Sequence, residues 1–121
     1  MSTAIAIPLE ELHEPKSGRY DARRLAEFMG VSMLELARAV GANPDALRRR
    51  PTSQTYQAKL GRIAVLLRRV LPGLKDPRRI RTWLRAASPD LDDASPLQFL
   101  LDGRLDVLED WIRAARTGQG A

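Results

Sequence analysis

The sequence predicts an all-α protein of about seven helices, an N-terminal helix-turn-helix domain followed by a small helical domain. Three observations carry that expectation. Apolar residues recur at three- and four-residue steps, most clearly in Tyr56, Leu60, Ile63, Leu67, Val70 and Leu71, which share one face of a helix. Helix boundaries are marked by a cap residue followed by proline at Asn43-Pro44 and Ser95-Pro96, and by stop glycines at Gly30 and Gly41. No segment reads as a strand, and no internal repeat is present.

Residues 1–18 hold Pro8, Pro15 and Gly18 and no helical period, which predicts a flexible arm with a short extended piece around Ala4–Leu9. The first helix is expected over Asp21–Met29, with Asp21 as cap, Leu25, Phe28 and Met29 inward and Gly30 as stop. The second spans Met33–Val40: Ser32 and Glu35 have the spacing of a reciprocal cap, and Gly41 ends it. The third runs from Pro44 to about Arg49, capped by Asn43 and ended by Pro51. A fourth extends from about Thr55 to Leu71, where Pro72-Gly73 is expected to break it. A fifth covers Pro77–Ala87, a short sixth runs from Ser95-Pro96 to Leu101, and the last is Arg104–Arg116. Residues 19–73 thus form the helix-turn-helix domain and residues 74–121 a second domain. Trp83, Phe99 and Trp111 fall at core spacing.

The 121 residues are enough for one core, or for two small helical subdomains sharing one. No apolar run approaches the ~20 residues of a membrane span, and the N-terminus lacks the pattern of a secretory signal. With no cysteine, disulfides and thiolate metal sites are excluded. The single histidine, His13, lies in a polar segment, and no glycine-rich phosphate loop occurs. These features suit a cytoplasmic protein with no membrane partner, and argue against an enzyme; no catalytic residue, metal or cofactor is expected. The net charge of +5 is unevenly spread: −2 over residues 1–18, +3 over 19–50, +5 over 51–75, +3 over 76–87 and −4 over 88–121. A polyanion should meet residues 19–87 and a different partner residues 88–121.

Val31–Pro51, VSMLELARAVGANPDALRRRP, has the layout of a helix-turn-helix. Ala37 supplies the small residue the second helix packs against, Gly41 the positive φ of the turn, and Leu47 the side chain pointing back into the core, beside Leu36 and Val40. With Leu47 inward, the groove-facing candidates are Asn43, Asp45, Arg48, Arg49 and Thr52. Arg48 or Arg49 can donate two hydrogen bonds to guanine, and Asp45 can accept from cytosine or stabilise the helix N-terminus. Arg50, Gln54, Lys59 and Arg62 are placed for phosphate. Arg50 occupies a position where such units often have an apolar anchor. The competing reading is an ordinary helical hairpin with a solvated arginine tail.

In residues 76–117 an arginine-rich helix ending in Trp83-Leu84 precedes Pro89-Asp90-Leu91, then Pro96-Leu97-Gln98-Phe99-Leu100, then Asp102-Gly103 and a final amphipathic helix. In order and spacing these resemble the toxin-binding domain of the Xre/MbcA/ParS antitoxins, and together with the N-terminal half the resemblance covers about residues 21–117. It implies an antitoxin of a type II toxin–antitoxin system that occludes a RES-domain toxin consuming NAD⁺ and represses its own operon by binding operator DNA. The covering surface would be the final helix and its tail, with Arg113, Arg116, Thr117, Gly118 and Gln119 nearest the toxin. The tail, Thr-Gly-Gln-Gly-Ala, departs from family tails, which often continue through apolar residues. Operator half-sites call for a homodimer or a higher assembly with toxin, and Ile63, Leu66, Leu67 and Val70 offer apolar surface for it. The alternative is a stand-alone dimeric helix-turn-helix repressor or nucleoid-associated protein with no toxin, and a third is an interaction module that no longer binds DNA.

Overall fold

The structure, a computed structural model, describes residues 9–116, and the side chains of residues 11–115. Among these residues are α1 (Ala22–Met29), α2 (Met33–Val40), α3 (Pro44–Arg49), α4 (Gln57–Leu74), α5 (Arg79–Arg85), α6 (Pro96–Leu101) and α7 (Leu105–Arg116). Three short 3-10 turns, Leu9–Leu12, Gln54–Tyr56 and Pro89–Leu91, connect them. Strand pairing within the described residues is limited to two isolated bridges, His13–Tyr20 and Ser88–Ala94. The all-α expectation of seven helices holds.

Local chemistry sets the helix ends. The Asp21 carboxylate accepts from the Arg23 and Arg24 amides at the start of α1. Ser32 and Glu35 form the reciprocal cap on α2, and Asn43 accepts from the Asp45 and Ala46 amides with Pro44 in the first turn of α3. Ser95 and Gln98 make a second reciprocal cap on α6. Each such cap satisfies amides that would otherwise lack partners, a contribution of ~1 kcal/mol. Gly30 and Gly41 end α1 and α2 at φ 70° and 72°, in the left-handed region.

Two boundaries differ from expectation. Pro72 does not break α4, which continues to Leu74 and stops only where Lys75 turns left-handed at φ 66°. A proline removes its own N–H bond and restrains the residue before it, but leaves the residues after it able to stay helical. Helix α5 starts at Arg79, two residues late, because the Asp76 carboxylate accepts from the Arg78 amide and guanidinium and holds a turn there.

One apolar cluster runs from Leu12 through Leu25, Leu36, Leu47, Leu60, Ile80 and Leu100 to Ile112, across the expected boundary at residue 73. Helix α1 packs on α5, α2 on α6, and α4 on α7, so the two halves share a single core. Ile63, Leu66 and Leu67 are buried in it and only Val70 is half-buried. The part of the apolar face of α4 formed by Ile63, Leu66 and Leu67 is therefore consumed within the chain, which withdraws these three as dimer surface, while Val65 and Val70 remain partly open. Phe99 is core, whereas Trp83 and Trp111 are half-buried and stack on one another at the α5–α7 edge, 6.3 Å between centroids and 7° from parallel. Part of the expected arm belongs to the fold: Leu12 is buried, and its carbonyl accepts from the Asp21 amide. No helix among the described residues is long and apolar enough to cross a membrane.

Candidate nucleic-acid interface

Ala37, Gly41 and Leu47 relate α2 to α3. Ala37 and Leu47 are fully buried, and the Ala42 amide donates back to the Ala37 carbonyl across the turn. Helix α3 has only six residues, too short to hold itself. It is held by the Leu47 side chain, by the Asn43 cap, and by Arg23 of α1, whose guanidinium donates to the Arg48 carbonyl at 2.8 Å. That last contact also supplies a donor to the C-terminal end of α3, where carbonyls lack helical partners.

The candidates on and after α3 fall into separate groups. Arg49 and Arg50 are exposed, and their guanidiniums have no hydrogen-bond or ion-pair partner among the described residues. Lys59, at the start of α4, is exposed and equally unpaired. Gln54 is exposed in the 3-10 turn just before α4, and Thr52 is half-buried. Arg48 is exposed but forms an ion pair with Asp45 one turn earlier, at 2.5 Å. The pair occupies one nitrogen of the guanidinium and one oxygen of the carboxylate, so Arg48 keeps further N–H donors for a base or phosphate. Asn43 spends its amide oxygen on the cap, at 2.9 and 3.1 Å from the Asp45 and Ala46 amides, which leaves only its NH₂ to meet a base.

Arg62, expected for phosphate, is paired within the chain. Its guanidinium binds Glu109 of α7 through two parallel bonds, Nη2 to Oε1 at 2.6 Å and Nε to Oε2 at 3.2 Å. The hydrogen bond to Glu109 raises the guanidinium's already high pKa. A planar fork facing a carboxylate is the geometry Arg favours over Lys.

Two of the four arginines of the basic segment 76–87 are likewise occupied by contacts to α1 and α2. Arg81 of α5 donates to the Glu27 carbonyl at 2.5 Å and to the Phe28 carbonyl at 3.5 Å. Arg85 donates to the Gly30 carbonyl at 3.0 Å and reaches the Glu35 carboxylate at 3.3 Å. These two side chains thus cap the C-terminal end of α1. Its carbonyls need donors and its last turn contains no basic residue of its own. The Ser32 amide, with Arg85 beside it, holds the Glu35 carboxyl below the usual carboxylate range. Arg38 of α2 similarly donates to the Leu101 carbonyl and pairs with Asp102 at 3.2 Å. Sequence reasoning missed this use of arginine as a donor between the halves. The available signal was an α1 that ends in Gly-Val with no nearby cation.

In the C-terminal half, Arg113 is exposed and pairs with Asp110 within α7 at 2.7 Å. The side chain of Arg116, and Thr117, Gly118 and Gln119, lie outside the described residues. Leu84, Leu91, Pro96, Phe99 and Leu100, which carry much of the C-terminal motif, are buried and build the core. His13 stacks on Tyr20 at 4.1 Å, and no cluster of His, Cys, Asp or Glu among the described residues is arranged to hold a metal. No family model, characterised protein or solved structure matches the chain.

Proposed function

We propose that this chain is a DNA-binding antitoxin. In this reading α3 and the start of α4 meet operator DNA, and the C-terminal helix and its tail occlude a RES-domain toxin. The observation that carries the DNA half is the selective availability of cations. Arg23, Arg38, Arg62, Arg81 and Arg85 are committed to carbonyls and carboxylates. Arg49, Arg50 and Lys59 are not, and they fall at the end of α3 and the start of α4, beside the turn that the helix-turn-helix layout puts against DNA; Arg68, Arg69, Lys75 and Arg79 are exposed and uncommitted as well, farther along the basic middle of the chain. Arg49 then reads a guanine while Arg50 and Lys59 grip phosphate. The toxin half rests on the order of motifs in residues 76–117 and on the acidic balance of residues 88–121, which suits a protein partner better than DNA.

Fluorescence anisotropy with operator DNA across a salt series tests the first half. Arg49→Ala should cost ~1–3 kcal/mol at the specific site, and Lys59→Ala should weaken all DNA alike and reduce the salt slope by about 1. Arg62→Ala should leave the slope unchanged. Wild-type binding by an Arg49→Ala/Arg50→Ala double variant would remove α3 as the reader. For the second half, co-expression with the neighbouring gene product is the test. Removing residues 113–121 should keep the fold, since Leu105, Leu108 and Ile112 remain in the core, yet release NAD⁺ loss. Full protection by the truncated chain would refute occlusion by the tail. Failure to find any toxin partner would leave a stand-alone repressor.

A further inference from the structure

Two shallow grooves follow one another along α4. The first, about 380 Å³, is lined by Tyr20, Gly61, Val65, Leu66 and Arg69, with Glu109 across from them. The second, about 360 Å³, begins at the same Arg69 and continues past Val70 and Pro72 to Trp83, Trp111 and Ala115. Through Arg69 the two form one trough between α4 and α7. Part of its apolar surface meets solvent: Val65 is 37% exposed, and both indoles are half-buried.

We propose that the trough is the seat of this chain's own N-terminal segment, residues 1–8. The sequence of that segment matches the trough's chemistry. Ala4-Ile5-Ala6-Ile7-Pro8 is uncharged and continuously apolar, whereas the other segment outside the described residues, Thr117–Ala121, is Thr-Gly-Gln-Gly-Ala and offers no large apolar side chain. In an extended backbone Ile5 and Ile7 fall on one face, about 7 Å apart, and the small Ala4 and Ala6 turn the other way. One side of the segment can therefore be buried while the other meets water.

The entry point also fits. The 3-10 turn Leu9–Leu12 packs on α1 and α4. His13 stacks on Tyr20, whose ring lies against Gly61 at the start of the trough; a β-carbon built on Gly61 would stand 3.1 Å from it. From Gly61 to Arg69 the trough runs about 12 Å, and to Gly73 about 18 Å, at the rise of a helix. Four extended residues from Leu9 to Ile5 span about 13 Å, and eight reach 26–29 Å at most, roughly the extended limit. Eight residues are therefore long enough to follow the trough from the Gly61 end to the indoles. This inference does not depend on the chain binding DNA or a toxin.

The protein supplies its own probe, because Trp83 and Trp111 are its only two tryptophans and both line the trough. Deleting residues 2–8 from the full chain should move tryptophan emission to longer wavelength and raise quenching by acrylamide, with helical circular dichroism unchanged. Ile5→Asp/Ile7→Asp should do the same without shortening the chain. A synthetic peptide of residues 1–9 added to the deletion variant should reverse the shift. Unaltered emission and quenching in both variants would overturn the proposal. So would a shift on deleting 117–121 that deletion of 2–8 does not produce, which would assign the trough to the tail. A wild-type emission that shifts on dilution together with a dimeric mass by light scattering would assign it to a second copy of the chain and equally overturn it.

Discussion

The junction between α1 and α5 allows a quantitative test with two glycines as internal controls. Gly30 and Gly41 have nearly the same backbone conformation, φ 70° and 72°, but different surroundings. A β-carbon at Gly41 meets nothing within 4 Å, whereas one at Gly30 would stand 2.8 Å from both Cγ and Cδ of Arg81. Either Gly→Ala change should cost ~1–2 kcal/mol for the left-handed backbone, less the few tenths to 1 kcal/mol recovered from a stiffer unfolded chain. These contributions cancel when the two variants are compared. Gly30→Ala must in addition displace the stem of Arg81, and with it the bonds to the Glu27 and Phe28 carbonyls. Arg81 is exposed, so that loss is discounted for solvent screening to ~1 kcal/mol. Gly30→Ala should therefore unfold ~3–5 °C below Gly41→Ala for a chain of this size. In an Arg81→Ala background the difference between the two should vanish. Thermal and urea unfolding followed by circular dichroism provide the measurement. Equal costs for the two glycine variants in the wild-type background would refute the claim that Arg81 clamps the end of α1.

Two further predictions concern the same elements. Leu47→Ala should cost ~2–5 kcal/mol in urea unfolding, because the side chain is fully buried and α3 has little else to hold it; operator binding should fall with it. Acid should act through Glu35. Its folded pKa lies below the ordinary 4.5, so its contribution to stability is present above about that pH and is lost as pH falls through the lowered folded value. Glu35→Gln should flatten the dependence of the melting temperature on pH in that acid range while leaving the slope near pH 7 unchanged, and an unaltered acid slope would show that the Ser32–Glu35–Arg85 cluster contributes nothing.

The helices were legible in the sequence because their determinants are local. The Ser32–Glu35 cap, the Asn43-Pro44 start, the stops at Gly30 and Gly41 and the apolar spacing of Leu60, Ile63 and Leu67 all act within a few residues, where sequence distance and spatial distance coincide. The inward positions of Ala37 and Leu47 followed for the same reason. What the sequence could not decide was the allocation of its many arginines. Arg62, Arg81 and Arg49 are the same residue type on similarly basic stretches, yet one faces Glu109, one caps carbonyls of α1 and one remains in solvent. The first two partners lie 47 and 54 residues away along the chain. A charge count along the sequence overstates the field offered to a polyanion when helices α5 and α7 fold back to consume part of it. The placement of the two tryptophans was hidden likewise. Helical spacing turned Trp83 and Trp111 toward the rest of the protein, but only the packing of α5 against α4 and α7 stacked them at an edge, leaving an apolar trough where a core had been expected.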